Sequence, residues 1–132
     1  MSGEDEEGEL PVVYAVRLMP RAEREVYGIA AELKDASGDD IAAAWYLGIG
    51  ASITSLSRHP RRFAVQEAES RRLGVETRRM LYRRQGSSGG GHHLYYTVEE
   101  GEDGPVVLVF HVRHAARRPI TPAEGRVMRE EI

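Results

Sequence analysis

Two hydrophobic periods divide this chain. Residues 12–18, "VVYAVRL", are β-branched and aromatic, which is the composition of a strand. Pro20 then stands where a helix tolerates proline, in its first turn. Over "PRAEREVYGIAAELKDA" the apolar residues Ala22, Val26, Ile29, Ala30 and Leu33 recur at helical spacing, with Arg21, Glu25, Glu32 and Lys34 elsewhere around the helix. "SGD" at 37–39 predicts a turn with Asp39 or Asp40 as the N-cap of a second helix. That helix carries Ile41, Trp45, Ile49, Ile53 and Leu56 on one stripe and stops before Pro60. A connection this short predicts an antiparallel helical hairpin.

After Pro60 the period changes. "RRFAVQEAESRRLGVE" has no sustained pattern and reads as a long polar connection with room for one helical turn. "TRRMLYRR", "HHLYYTVEE" and "PVVLVFHVR" then read as three strands, joined by "QGSSGGG" and "EGEDG", and two successive hairpins make an antiparallel meander. Thr121, with Pro122 after it and Glu124 three residues on, has the spacing of a capping box and predicts a short C-terminal helix. The fold class expected is therefore α+β: an N-terminal strand, a helical hairpin, a three-stranded antiparallel meander completing a four-stranded sheet, and a C-terminal helix.

Length adds one constraint: 132 residues make one compact domain. Residues 1–10 are expected to be an acidic, disordered tail, 11–119 the domain, and 120–132 a helical extension. No window reaches the roughly 18 to 20 consecutive apolar residues of a membrane span, and "MSGEDEEGEL" is acidic where a signal peptide would be basic and then apolar. A soluble, cytoplasmic protein is expected. There is no cysteine, which excludes disulfides, thiolate catalysis and cysteine-bound metal.

The net charge of −3 hides an asymmetry. Setting aside Glu4, Asp5, Glu6, Glu7 and Glu9 leaves 18 basic against 16 acidic residues, or +2. Between Arg58 and Arg118 there are twelve arginines against seven acids. An acidic tail on such a chain could mask its basic face in cis.

The candidate chemistry lies where the strands end. The apolar run "VVLVF" leads into His111, Arg113, His114, Arg117 and Arg118 with no turn residue between. Arg79, Arg83 and Arg84 come from the strand before the glycine-rich tip, and His92 and His93 open the next. Converging at one sheet edge, this set would bind an RNA backbone and stabilise a phosphoryl transition state, with histidine moving the proton. On residues alone, the opposing reading of solvated arginines paired with surface acids stands level with it. Other templates find no foothold. "QGSSGGG" lacks the Gly-Lys-Ser/Thr ending of a phosphate loop, adjacent His92 and His93 point to opposite faces of a strand, and nothing has zinc-ligand spacing or the form of a nucleophile elbow. No cofactor or metal is expected.

Four stretches carry a resemblance: "YAVRLMPRAEREVYGIAAEL", "ASITSLSRHPRRF", "VETRRMLYRR" and "VLVFHVRHAARRP". In this order they resemble the RelE/ParE superfamily of bacterial type II toxin–antitoxin toxins, especially the ParE-like members described as plasmid stabilisation proteins, over roughly residues 12–119. The resemblance implies a helical hairpin on an antiparallel four-stranded sheet, and a toxin neutralised by a cognate antitoxin. It also implies one of two targets: RelE-like members cut mRNA on the ribosome without a metal, and ParE-like members poison DNA gyrase. Carried over by residue, it points to Arg79, Arg113, His114 and Arg117, with His93 standing where many relatives have the arginine of a Tyr-Arg pair. No tyrosine follows Tyr96, so the C-terminal tyrosine of the RelE-like nucleases has no counterpart. That departure keeps a third reading in play, a catalytically inactive toxin fold that binds an antitoxin-like protein or nucleic acid.

Overall fold

The computed structural model describes residues 12–132, and the acidic tail anticipated at 1–10 lies outside the described residues. The elements are β1 (Ala15–Leu18), α1 (Pro20–Ser37), α2 (Asp39–Ser55), a 3₁₀ turn (Pro60–Arg62), α3 (Glu67–Leu73), β2 (Arg78–Tyr82), β3 (His92–Gly101), β4 (Gly104–His114) and α4 (Pro122–Glu131). The sheet order is β1-β4-β3-β2, so the apolar β4 is internal. β2, β3 and β4 form the antiparallel meander. β1 instead runs parallel to β4, from Ala15 beside Val106 to Leu18 beside Val109, so the four-stranded sheet is mixed rather than antiparallel throughout.

The hairpin covers one face. Ala22 and Val26 of α1 and Trp45, Ile49 and Leu56 of α2 pack on Met80, Leu94, Tyr96, Val107, Val109 and Val112. The second face is covered too, by α3 and α4, where Leu73, Ile120 and Met128 close over Tyr95 and Phe110. The domain therefore has three layers where the sequence pattern indicated two. The "polar connection" supplies much of the third layer: it holds the 3₁₀ turn and the seven-residue α3, which ends at Gly74 in the left-handed region (φ 73°). α4 approaches α3 so closely that a Cβ on Gly125 would lie 2.8 Å from the Arg72 carbonyl oxygen.

Three local details show how sequence rules fared. Thr121 and Glu124 form the predicted capping box, with Glu124 N–H donating to Thr121 Oγ1 (3.1 Å) and Thr121 N–H to Glu124 Oε1 (2.9 Å). The N-cap of α2 is not an aspartate. Gly38 (φ 93°) serves as both C-cap of α1 and N-cap of α2, which makes Asp39 and Asp40 the first helical residues. One residue has to reverse the chain, and glycine reaches that φ without strain. The acids still lie in the first turn, where the helix dipole favours them.

The third detail is a β-bulge. Tyr95 pairs with His111 and Tyr96 with Val109, leaving Phe110 as an extra residue in β4. Strict alternation would put Val107, Val109, His111 and Arg113 on one face and drive two polar side chains under the hairpin. With the bulge, Val112 joins Val107 and Val109 in the hairpin core, while His111 and Arg113 turn toward the layer of α4.

Candidate functional site

Strand register sorts the basic residues. His92 lies opposite His114 and His93 opposite Arg113 in the β3–β4 ladder, and Arg79 lies opposite Tyr95 in β2–β3. Facing pairs share a side of the sheet. His92 and His114 therefore look toward the hairpin, and Arg79, His93 and Arg113 toward the other side.

On the hairpin side a groove of about 790 Å³ runs between the helices and the strand ends. Its floor is apolar, with Ile29, Leu33, Ile41 and Trp45, and its rim carries Arg84, His114 and Arg117. Trp45 Nε1–H donates to His92 Nδ1 (3.3 Å), and the His92 and His114 rings stand 5.2 Å apart. Burial, with the neighbouring His114 and His93 adding to it, pushes the His92 pKa down to about 4. His92 is thus neutral at pH 7, with Nε2 carrying the proton. His114 is exposed, and its Nδ1 accepts from Ala116 N–H (3.0 Å).

Arg113, one of the residues the resemblance points to, is only 5 % exposed. Its Nε donates to His111 Nε2 (2.7 Å), Nη1 to the Arg118 carbonyl (2.7 Å) and Nη2 to Glu124 Oε2 (2.8 Å). Because His111 Nε2 accepts, its Nδ1 carries the proton and donates to Glu25 Oε2 (2.8 Å). Glu25 Oε1 also accepts from Val112 N–H (3.0 Å). The chain Glu25–His111–Arg113–Glu124 ties α1, β4 and α4 together, and all three guanidinium nitrogens of Arg113 are engaged inside the fold.

On the second face Arg79 and His93 remain half-buried beside Glu69 of α3. Burial lowers the His93 pKa, Arg79 lowers it further, and Glu69 acts in the opposite direction. Glu69 is 5 % exposed and makes no hydrogen bond or ion pair among the described residues. Among the described residues the one buried side-chain atom without a partner is Arg78 Nε, so the Glu69 oxygens keep contact with solvent. Sequence reading missed Glu69, because α3 lay in a stretch without periodicity and nothing local tells it from its solvated neighbour Glu67.

The anticipated site residues thus do not converge. Arg79 and His93 share the second face, His114 and Arg117 open on the hairpin side, and Arg113 is locked between the sheet and α4. Among the described residues no group of three or more His, Asp or Glu could hold a metal ion, and no helix is long and apolar enough to cross a membrane.

A helical hairpin on a small mixed sheet, with a strand end rich in arginine and histidine, defines the class of small α+β toxin domains that the sequence resembles. The family described as the ParE toxin of the type II toxin-antitoxin system, parDE, matches residues 16–119, and the chain belongs to it. The match stops short of α4, so Glu124, which holds Arg113, comes from outside the shared span. No curated protein sequence matches the chain.

Proposed function

We propose that this chain is a growth-arresting toxin that acts by binding DNA gyrase, and that a cognate antitoxin neutralises it in the cytoplasm. Membership of the toxin family supports the first part and implies an antitoxin partner. The observation that carries the choice of target is the division of the basic residues by the sheet. A ribonuclease needs its base, its acid and its phosphate-holding cations on one scissile phosphate, within about 3 Å of the reacting atoms. His114 and Arg117 face away from Arg79 and His93, and Arg113 is committed to Glu124. A toxin that acts by binding needs no such convergence, only an exposed surface, and the groove with its Arg84 and Arg117 rim supplies one.

A second reading rests on Glu69. With Glu69 taking the proton from a ribose 2′-hydroxyl, His93 protonating the leaving 5′-oxygen and Arg79 holding the phosphate, the second face would cut RNA and leave a cyclic phosphate. The lowered pKa of His93 works against its proton-donating role. The two readings separate on induced expression without a partner, with DNA and protein synthesis followed by pulse labelling. DNA synthesis failing first, with loss of arrest in Arg84→Ala/Arg117→Ala and not in Glu69→Gln, is the expected result. Translation failing first, with the reverse dependence, would move the assignment to RNA cleavage. No arrest from folded, abundant protein would leave the inactive binding domain.

A further inference from the structure

Positive charge is least balanced where β2 and β4 end. Residues 77–98 and 104–123 contain no acid, and within them Arg83 and Arg84 follow β2 while Arg117 and Arg118 follow β4. Arg83, Arg117 and Arg118 are exposed and Arg84 is half-buried. Among the described residues none of the four forms an ion pair. Glu25 and Glu32 line the helical wall of the neighbouring groove, and Glu25 is already engaged by His111 and the Val112 N–H.

The backbone that carries these cations is tied down. Arg113 Nη1 donates to the Arg118 carbonyl (2.7 Å), Arg117 N–H to the His114 carbonyl (3.0 Å) and Ala115 N–H to the Gly91 carbonyl (2.9 Å). The segment after β4 is thereby fixed both to a buried guanidinium and to the glycine-rich tip. The opposite end of the sheet has the other sign. Glu99, Glu100, Glu102 and Asp103 surround the β3–β4 turn, where Arg61 is offset by Glu100 (3.5 Å). Eight strand steps of about 3.3 Å put Glu100 roughly 26 Å from His92. A polyanion is therefore drawn to the arginine end and turned away from the β3–β4 turn.

The absence of stacking surfaces narrows the kind of polyanion. Proteins that hold single strands stack the unpaired bases on aromatic side chains. Among the described residues the exposed Tyr, Trp and Phe side chains are Tyr27 and Tyr46, which stack on each other across α1 and α2 (6.1 Å), and neither lines the groove. A duplex backbone asks only for cations that reach its phosphates, and planar guanidinium groups on a fixed loop suit that contact.

We propose that Arg83, Arg84, Arg117 and Arg118 hold the phosphate backbone of duplex DNA. The contact rests on the gyrase reading for its purpose, since gyrase holds duplex DNA, and it leaves the apolar floor of the groove to the enzyme. The test measures binding of the full chain to a short DNA duplex of mixed sequence by fluorescence anisotropy, without gyrase. Four phosphate contacts should make affinity fall about a hundredfold between about 50 and 200 mM salt. R83Q/R118Q keeps the Arg118 carbonyl that Arg113 needs, and should bind more weakly at the lower salt and lose only about tenfold over the same range. R58Q/R61Q removes the same charge near the β3–β4 turn and should keep the hundredfold dependence. No duplex binding at about 50 mM salt, an unchanged salt dependence in R83Q/R118Q, an equal change in R58Q/R61Q, or tighter binding of a single-stranded RNA of the same length would each overturn the proposal. Arrest through gyrase by a chain that does not bind the duplex would remove the DNA contact and keep the target. Duplex binding by a chain that arrests translation first would keep the contact and remove the target.

Discussion

Replacing Arg113 with alanine separates a clamp in the fold from a residue that acts on a target. The side chain is 4 % exposed and makes three donor contacts of 2.7–2.8 Å, one of them to the carboxylate of Glu124. Removing one partner of a buried ion pair costs about 3–5 kcal/mol, because the other charge is left without its counterpart. Glu124 is 34 % exposed and can recruit water, which places the cost at the low end, about 3 kcal/mol. For a domain of this size that corresponds to a fall in Tm of roughly 10 °C. Arg113→Lys keeps the charge but cannot reach three separated acceptors, and should lose about half as much. Urea and thermal unfolding of both variants measure this directly. An unchanged Tm in Arg113→Ala, together with loss of growth arrest, would refute the clamp and return Arg113 to the working surface. Loss of arrest alone decides nothing, since a protein weakened by about 3 kcal/mol loses activity through abundance as well.

The pKa shifts give two pH windows. His92 is ordinarily protonated below 6.5 and in the fold only below about 4, so the unfolded chain takes up the proton first. Stability measured by urea unfolding should be level above pH 6.5 and fall between 6.5 and 4, and His92→Gln should flatten that slope. Glu124, held down first by the Thr121 backbone N–H and then by Arg113, and Glu131, held down by Arg21, both lie below the usual 4.5. Their contribution is present above pH 4.5 and is lost as pH falls through their folded values, so Glu131→Gln should reduce acid sensitivity below pH 4.5 without altering the His92 slope. Gly125→Ala should raise helix propensity by up to about 1 kcal/mol yet destabilise the protein by about 1–2 kcal/mol net, because the new Cβ meets a backbone oxygen. A net gain in Tm would show that α4 can move off α3.

Much of the fold was legible because it rests on local rules. The strand composition of 12–18, the helical stripes of Val26, Trp45 and Ile49, and the Thr121–Glu124 box each depend on residues within a few positions of one another. The family motifs were legible for the same reason, since each is a contiguous stretch. Asp39 and Asp40 misled because composition names the residues that suit a cap without telling which backbone position has to turn, and Gly38 was needed for the turn.

The site was less legible, because its facts are non-local. Nothing in "VVLVFHVRH" shows that Phe110 is an extra residue, yet that bulge decides that His111 and Arg113 leave the hairpin face. Charge shows that Arg113 wants an anion, but only the docking of α4 makes Glu124 its partner in place of a ligand. Register likewise puts His114, at the end of β4, and Arg79, near the start of β2, on opposite sides of the sheet. The sequence by itself determined the hairpin helices, the strands and the C-terminal helix, the basic strand ends and the family. Only the tertiary structure decided which face each cation looks toward, whether an internal acid already holds it, and that Glu69 is buried beside His93. Register, bulges and helix docking couple residues far apart in the chain, and no local pattern records them.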